Sequence, residues 1–114
     1  MIKRGDIVFV DLPGSTEHVQ GSFRPWLVVQ NDKGNYYSPT TIVVPITTAH
    51  KKPLPTHVDF IWGSVFGTIL TEQIRVIDQS ELVKASKIVE CLPEKIMMHV
   101  DRALAVAVGL EGIS

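Results

Sequence analysis

The sequence predicts a mainly β domain with α: a small curled β-barrel of short strands, covered by one terminal helix. Three observations predict it. Short runs of β-branched and aromatic residues recur along the chain, each bounded by Gly, Pro, Asn or Asp. One stretch near the C-terminus carries apolar residues at helical spacing. No repeat, low-complexity tract or linker divides the 114 residues, so residues 1–114 read as a single domain with one modest core.

"GDIVFVDL" (5–12) reads as the first strand, ending at Pro13–Gly14, and "LPGSTEHVQGSF" (12–23) as a long polar loop. "RPWLVVQN" is the second strand, where Pro25 is tolerable because a residue near a strand start can lack an N–H. "DKGNYYSPT" is turn chemistry throughout. "TTIVVPITT" (40–48) is a third strand, and Pro45 predicts an edge or a bulge near its end. After the loop "AHKKPLPT" come strand candidates "HVDFI", "GTILTE" and "IRVI", with Trp62 and Phe66 flanking Gly63 in a hairpin loop. Asp78 before "QSEL" predicts a short capped helical turn, and "KASKIVECL" a last strand. Pro93 opens the terminal helix at its first turn, with Glu94 near the positive end of the dipole. Its predicted apolar stripe is Ile96, Val100, Leu104 and Ala107, against polar Glu94, Lys95, His99, Asp101 and Arg102.

Composition narrows the function. An apolar fraction of 45% and a charged fraction of 20% are those of a globular domain, and no apolar run approaches a membrane span. The start "MIKRGD" predicts no secretory leader, and a single cysteine, Cys91, builds neither a disulfide framework nor a cysteine zinc site. Both point to a cytoplasmic protein. Net charge is −1, so no global basic field draws nucleic acid. The first half, residues 1–57, nevertheless carries six Lys/Arg against four Asp/Glu, whereas the rest carries five against eight. A polyanion would bind locally, on a surface built from the first half.

Four segments in register, "KRGDIVFVDL", "RPWLVVQND", "SPTTIVVPIT" and "TEQIRVID", together with the terminal helix, resemble the MazF/PemK toxins of bacterial toxin–antitoxin systems over roughly residues 2–108. The resemblance implies an SH3-like barrel of the MazF/PemK/CcdB toxin type, a homodimer, and an endoribonuclease acting on single-stranded RNA without a metal or other cofactor. It also implies a small MazE-like antitoxin whose acidic, largely disordered tail occupies the RNA groove. The chemistry implied is attack of the RNA's own 2′-hydroxyl on phosphorus, which needs a base, an acid and cationic stabilisation of the phosphorane.

Arg24 matches the family's Arg–Pro position; its planar guanidinium suits a phosphate, and Pro25 pushes it toward extended geometry. Thr47 matches the threonine ending the third strand, with Thr48 as the alternative if the register slips. His18 lies at the distance before the Arg–Pro pair where some relatives of the PemK branch place a histidine, a side chain suited to proton transfer near neutral pH; its competing reading is a solvated loop histidine. Val19 departs from the family's glutamate before the loop glutamine, so the base is open. Glu72 lies on a strand end that the resembling family turns toward the RNA groove, which implies a candidate base or a group orienting Arg24; its competing reading is an ion pair with Arg75 or a lysine. Gln20, Phe23, Asn31, Thr48 and Gln73 are candidate RNA contacts, through amides for base edges and a ring for stacking. The histidines have no ligand-like spacing with carboxylates or Cys91, so no metal site is expected. Two other readings stay open at this stage: a toxin that jams DNA gyrase, and a catalytically silent RNA- or antitoxin-binding module.

Overall fold

The computed structural model describes residues 1–12, 24–49, 51–85 and 87–110. The described residues form β1 (Asp6–Val10), β2 (Arg24–Val28), α1 (Asp32–Tyr37), β3 (Thr40–Thr47), β4 (His57–Trp62), β5 (Val65–Leu70), β6 (Arg75–Asp78), α2 (Gln79–Ala85), β7 (Lys87–Cys91) and α3 (Glu94–Ala107). All pairings are antiparallel, in the order β4-β5-β3-β2-β1-β7, with β6 also on β3. The curled sheet with its C-terminal helix is the expected barrel.

The sheet is buried on both faces, which is why "WLVV" and "IVV" are unbroken apolar runs rather than alternating ones. Leu27, Val44, Ile46 and Ile69 point to one side, where Met97 and Val100 of α3 cover them. Val8, Val10, Trp26, Val28 and Val43 point to the other, where Leu82 of α2 and Ile2 close over them. Alternate residues of a strand face opposite ways, so each run feeds two cores at once.

Four expectations are corrected. Residues 32–37 form a short helix rather than a turn. Asn31 accepts from the Gly34 N–H at 2.8 Å, and buried Asn35 bonds Gln30, Asp32 and Thr41, so tertiary hydrogen bonds hold a segment that its glycine disfavours. Tyr36 and Tyr37 therefore sit on α1, not in a loop.

Pro45 marks neither an edge nor a bulge, because β3 is paired on both flanks. The Ile42 carbonyl accepts from Val29 of the β2 side, so by alternation Pro45 faces the other flank. There it falls between Val43, the last partner of β6, and Ile46, the first partner of β5. Its missing N–H sits at the junction where the sheet changes neighbours.

The β4–β5 turn contains only Gly63 and Ser64, so Trp62 and Phe66 lie on strands. The buried face of α3 is Met97, Val100, Ala103 and Ala105, with Ile96 and Leu104 only partly buried. A helix with apolar residues on several sides does not specify its own inward face; the sheet it packs on selects it.

Gly67 shows how closely strands approach at the end of β3. Its φ is +146°, and a Cβ there would stand 2.5 Å from the Thr47 carbonyl oxygen. Gly67→Ala is expected to destabilise the fold by about 2 kcal/mol or more through a main-chain clash and strained backbone, read as a lower denaturant midpoint at unchanged m.

Candidate functional site

A cleft of about 520 Å³ opens where β2 begins and β3 ends. Its walls come from Arg24 and Pro25 of β2, from Thr47, Thr48 and Ala49 at the end of β3, and from Ser64, Val65 and Phe66 at the β4–β5 turn. Ile46, Thr47 and Val65 are buried and form its base, while Thr48, Ala49, Ser64 and Phe66 are exposed around it.

Local geometry explains why these side chains converge. Arg24 is the first residue of β2, opposite Val10, and Pro25 holds it in extended backbone. Carrying the Trp26–Pro45 register two residues further sets Arg24 across from Thr47, on one face of the sheet. Thr47 is paired with Thr68 of β5, and Phe66 lies two residues from Thr68 on that same face. A guanidinium, a hydroxyl and an aromatic ring thus share one cleft.

Thr47 is held for donation. Its Oγ1 accepts from the Ala49 N–H at 3.1 Å, so the hydroxyl proton remains to be given to a ligand oxygen. Arg24 supplies a charge that persists at every working pH. Together they suit a phosphate: a forked cation and a neutral donor beside a concave, partly apolar floor.

The structure brings Arg24, Thr47 and Thr48 into the cleft; of the other described candidates, none lines it. Glu72 and Gln73 are in the turn between β5 and β6, not on a strand end, and neither lines the cleft. Asn31 is beyond the opposite end of β2, where it caps α1. His18, Gln20 and Phe23 lie outside the described residues.

Glu72 pairs with His57 among the described residues: Oε2 lies 3.1 Å from His57 Nε2, and Oε1 accepts from Thr56 Oγ1 at 2.9 Å. His57 Nδ1 in turn faces the Lys52 carbonyl at 2.9 Å. Both ring nitrogens face acceptors, which fixes the ring between the Lys52 carbonyl and the Glu72 carboxylate. Burial pushes the Glu72 carboxyl up, but its own backbone N–H, His57 and Thr56 outweigh that and hold it below the usual value. Such a carboxylate anchors the Lys52–Thr56 segment and is a weak proton acceptor.

Sequence reasoning did not single out Glu90 of β7, which reaches the hairpin turn at Ser64. Nothing local to "KIVEC" signals a contact with a turn 26 residues away. Among the described residues no group of three or more His, Cys, Asp or Glu is placed to hold a metal ion. No described helix is long and apolar enough to cross a membrane.

Residues 3–108 match the family described as PemK-like, MazF-like toxin of type II toxin–antitoxin system. The chain is 44% identical to Endoribonuclease EndoA of Bacillus subtilis (strain 168), covering 96% of this chain and 97% of that protein. It is 40% identical to Endoribonuclease MazF of Staphylococcus epidermidis, covering 96% and 93%. Among solved structures, an endoribonuclease in complex with its cognate antitoxin from a mycobacterial species superposes with a TM-score of 0.79 at 24% identity, covering 96% of this chain and 97% of that one. Form-I MazF from Deinococcus radiodurans gives 0.74 at 24% identity, covering 96% and 97%. At such identity these structures speak for the fold.

A lowered carboxyl contributes stability above its ordinary range and loses it as pH falls through the folded value. Glu72→Gln is therefore expected to lower stability at neutral pH, by no more than about 1 kcal/mol at so exposed a site. The gap from the parent should close in acid, below the folded value, when denaturant midpoints are compared across pH.

Proposed function

Since the chain belongs to the PemK-like, MazF-like toxin family of type II toxin–antitoxin systems, we propose that it is the toxin: an endoribonuclease that cuts single-stranded mRNA at a short sequence and so arrests translation and growth. The observation that carries this reading is the placement of Arg24 and Thr47 in one cleft, in a chain whose curated relatives are endoribonucleases along its whole length. A gyrase-jamming toxin has no use for a phosphate clamp, and a silent module has no use for both of its halves.

In the reaction the substrate's 2′-oxygen bonds to the adjacent phosphorus as its proton passes to a base. The P–O5′ bond breaks and the 5′-oxygen takes up a proton, leaving a 2′,3′-cyclic phosphate and a 5′-hydroxyl. Arg24 holds the non-bridging oxygens and opposes the charge of the phosphorane, and Thr47 donates to one of them. His18 is the base or acid, since Val19 beside it can move no proton and the histidine is the titratable side chain next to it. Thr48 borders the phosphate site, while Gln20 and Phe23 contact bases. Asn31 caps α1 through its side chain, and Glu72 anchors a loop; Gln73 stays a candidate RNA contact outside the cleft. The nucleophile belongs to the RNA, so no cofactor enters.

Two partners follow. Solved neighbours include an endoribonuclease with its cognate antitoxin and MazE–MazF complexes. This chain is accordingly paired with a MazE-like antitoxin whose acidic tail competes with RNA for the cleft. It works as a homodimer in the cytoplasm, where mRNA is found.

Incubation of the purified protein with a long single-stranded RNA in EDTA should give cuts at one recurring short sequence, with cyclic phosphate ends. Arg24→Ala should lower cleavage by on the order of 10²-fold or more with its melting unchanged; parent-like cutting by this variant would remove Arg24 from the site. His18→Ala should flatten the limb of the pH–rate profile near the histidine range, about pH 6.5.

A further inference from the structure

Across the cleft from Arg24 and Thr47 stands the start of β5, and what holds that wall comes from the far edge of the sheet. Oε2 of Glu90, on β7, accepts from the Ser64 backbone N–H at 3.2 Å and from Ser64 Oγ at 3.3 Å. Gly63 makes the approach possible. Its φ is +59°, and a Cβ there would stand 2.3 Å from that same carboxylate oxygen. The turn has only these two residues, so where Glu90 fixes Ser64 it also fixes Val65 and Phe66.

Phe66 lines the cleft yet is 58% exposed, its cross-strand neighbour being Ile61. An open ring face beside a cation and a hydroxyl suited to phosphate has the composition of a single-strand binding surface: charge for the backbone, an aromatic for the base. A ring held rigidly relative to Arg24 also admits bases according to size and placement, because a stacked base must reach it while its phosphate stays clamped.

On the basis of the ribonuclease reading, we propose that Phe66 is the stacking wall for the unpaired base adjoining the bound phosphate, and that Glu90 is the positioning residue that holds this wall at a set distance from Arg24. Glu90 touches no substrate; it acts through Ser64.

The test measures KM, kcat and the ratio of kcat/KM for the preferred RNA and its single-base variants. Phe66→Ala should raise KM about tenfold, with a smaller change in kcat, and Phe66→Trp should restore most of the loss. Glu90→Ala should raise KM several-fold and narrow the preference among sequences. Glu90→Gln should stay near the parent, because its amide oxygen accepts the same N–H. Both Glu90 variants remove one negative charge, so a difference between them reports the lost acceptor and not an altered field. If Glu90→Ala melts early, Ser64→Ala, which removes the hydroxyl bond and keeps the backbone one, should raise KM and narrow the preference by a smaller, measurable amount, and Phe66→Ala, at an exposed position, tests the stacking wall directly. A parent that cleaves RNA while Phe66→Ala and Ser64→Ala match its KM and preference would overturn the proposal and leave the ribonuclease reading standing. A parent that cuts no RNA would overturn both.

Discussion

β3 has one flank on β2 and the other shared between β6 and β5, and the architecture depends on that division. A strand with two successive neighbours on one side must let the sheet diverge between them, and Pro45 stands at that point, where no ladder bond is required. Divergence sends β6 toward the core closed by α2 and lets the β4–β5 hairpin curl toward α3. Val43, Val44 and Ile46, each almost wholly buried, pin β3 between the two cores; full burial of such a side chain stabilises by about 1.5–3 kcal/mol. The cleft is what remains open where β3 ends.

Polar groups close the regions that apolar packing leaves loose. Gln79 Nε2 sits within hydrogen-bond range of the carbonyls of Asn35, Ser38 and Thr40, joining α2 to α1 and the start of β3. Arg4 donates from Nε to the Val29 carbonyl and pairs with Asp101, tying the N-terminal segment to α3. One group is left over among the described residues: Trp26 Nε1 is buried without a partner. The Arg75 guanidinium lies 5.9 Å from that ring's centroid, a cation over the indole face that offsets part of the cost. Glu90 closes the barrel in the same manner, linking β7 at one sheet edge to the hairpin at the other.

The strands were legible because β-branched and aromatic runs between turn residues have few other stable conformations; the Arg–Pro and "PIT" segments were legible as strand ends, and the fold brings Arg24 and Thr47 to one cleft. α1 was not legible: its glycine and polar side chains read as a turn until Asn35 is seen bonded to Thr41 and Gln30. Glu72 was read as a groove candidate because the resembling family turns "TEQIR" that way; that its carboxylate bonds His57 and Thr56 in the turn after β5 was not legible in the sequence.

The sequence by itself determined the local states: which segments extend, which one coils, and that an arginine preceded a proline at a strand mouth. Propensity, turn chemistry and binary pattern act over a few residues and are written in them. Only the tertiary structure decided the inward face of α3, the partner of Glu72, and the reach of Glu90 to Ser64. Each of these is a choice among contacts of similar local energy, and the curl of the sheet, set at Pro45, selects among them by bringing distant residues within bonding distance.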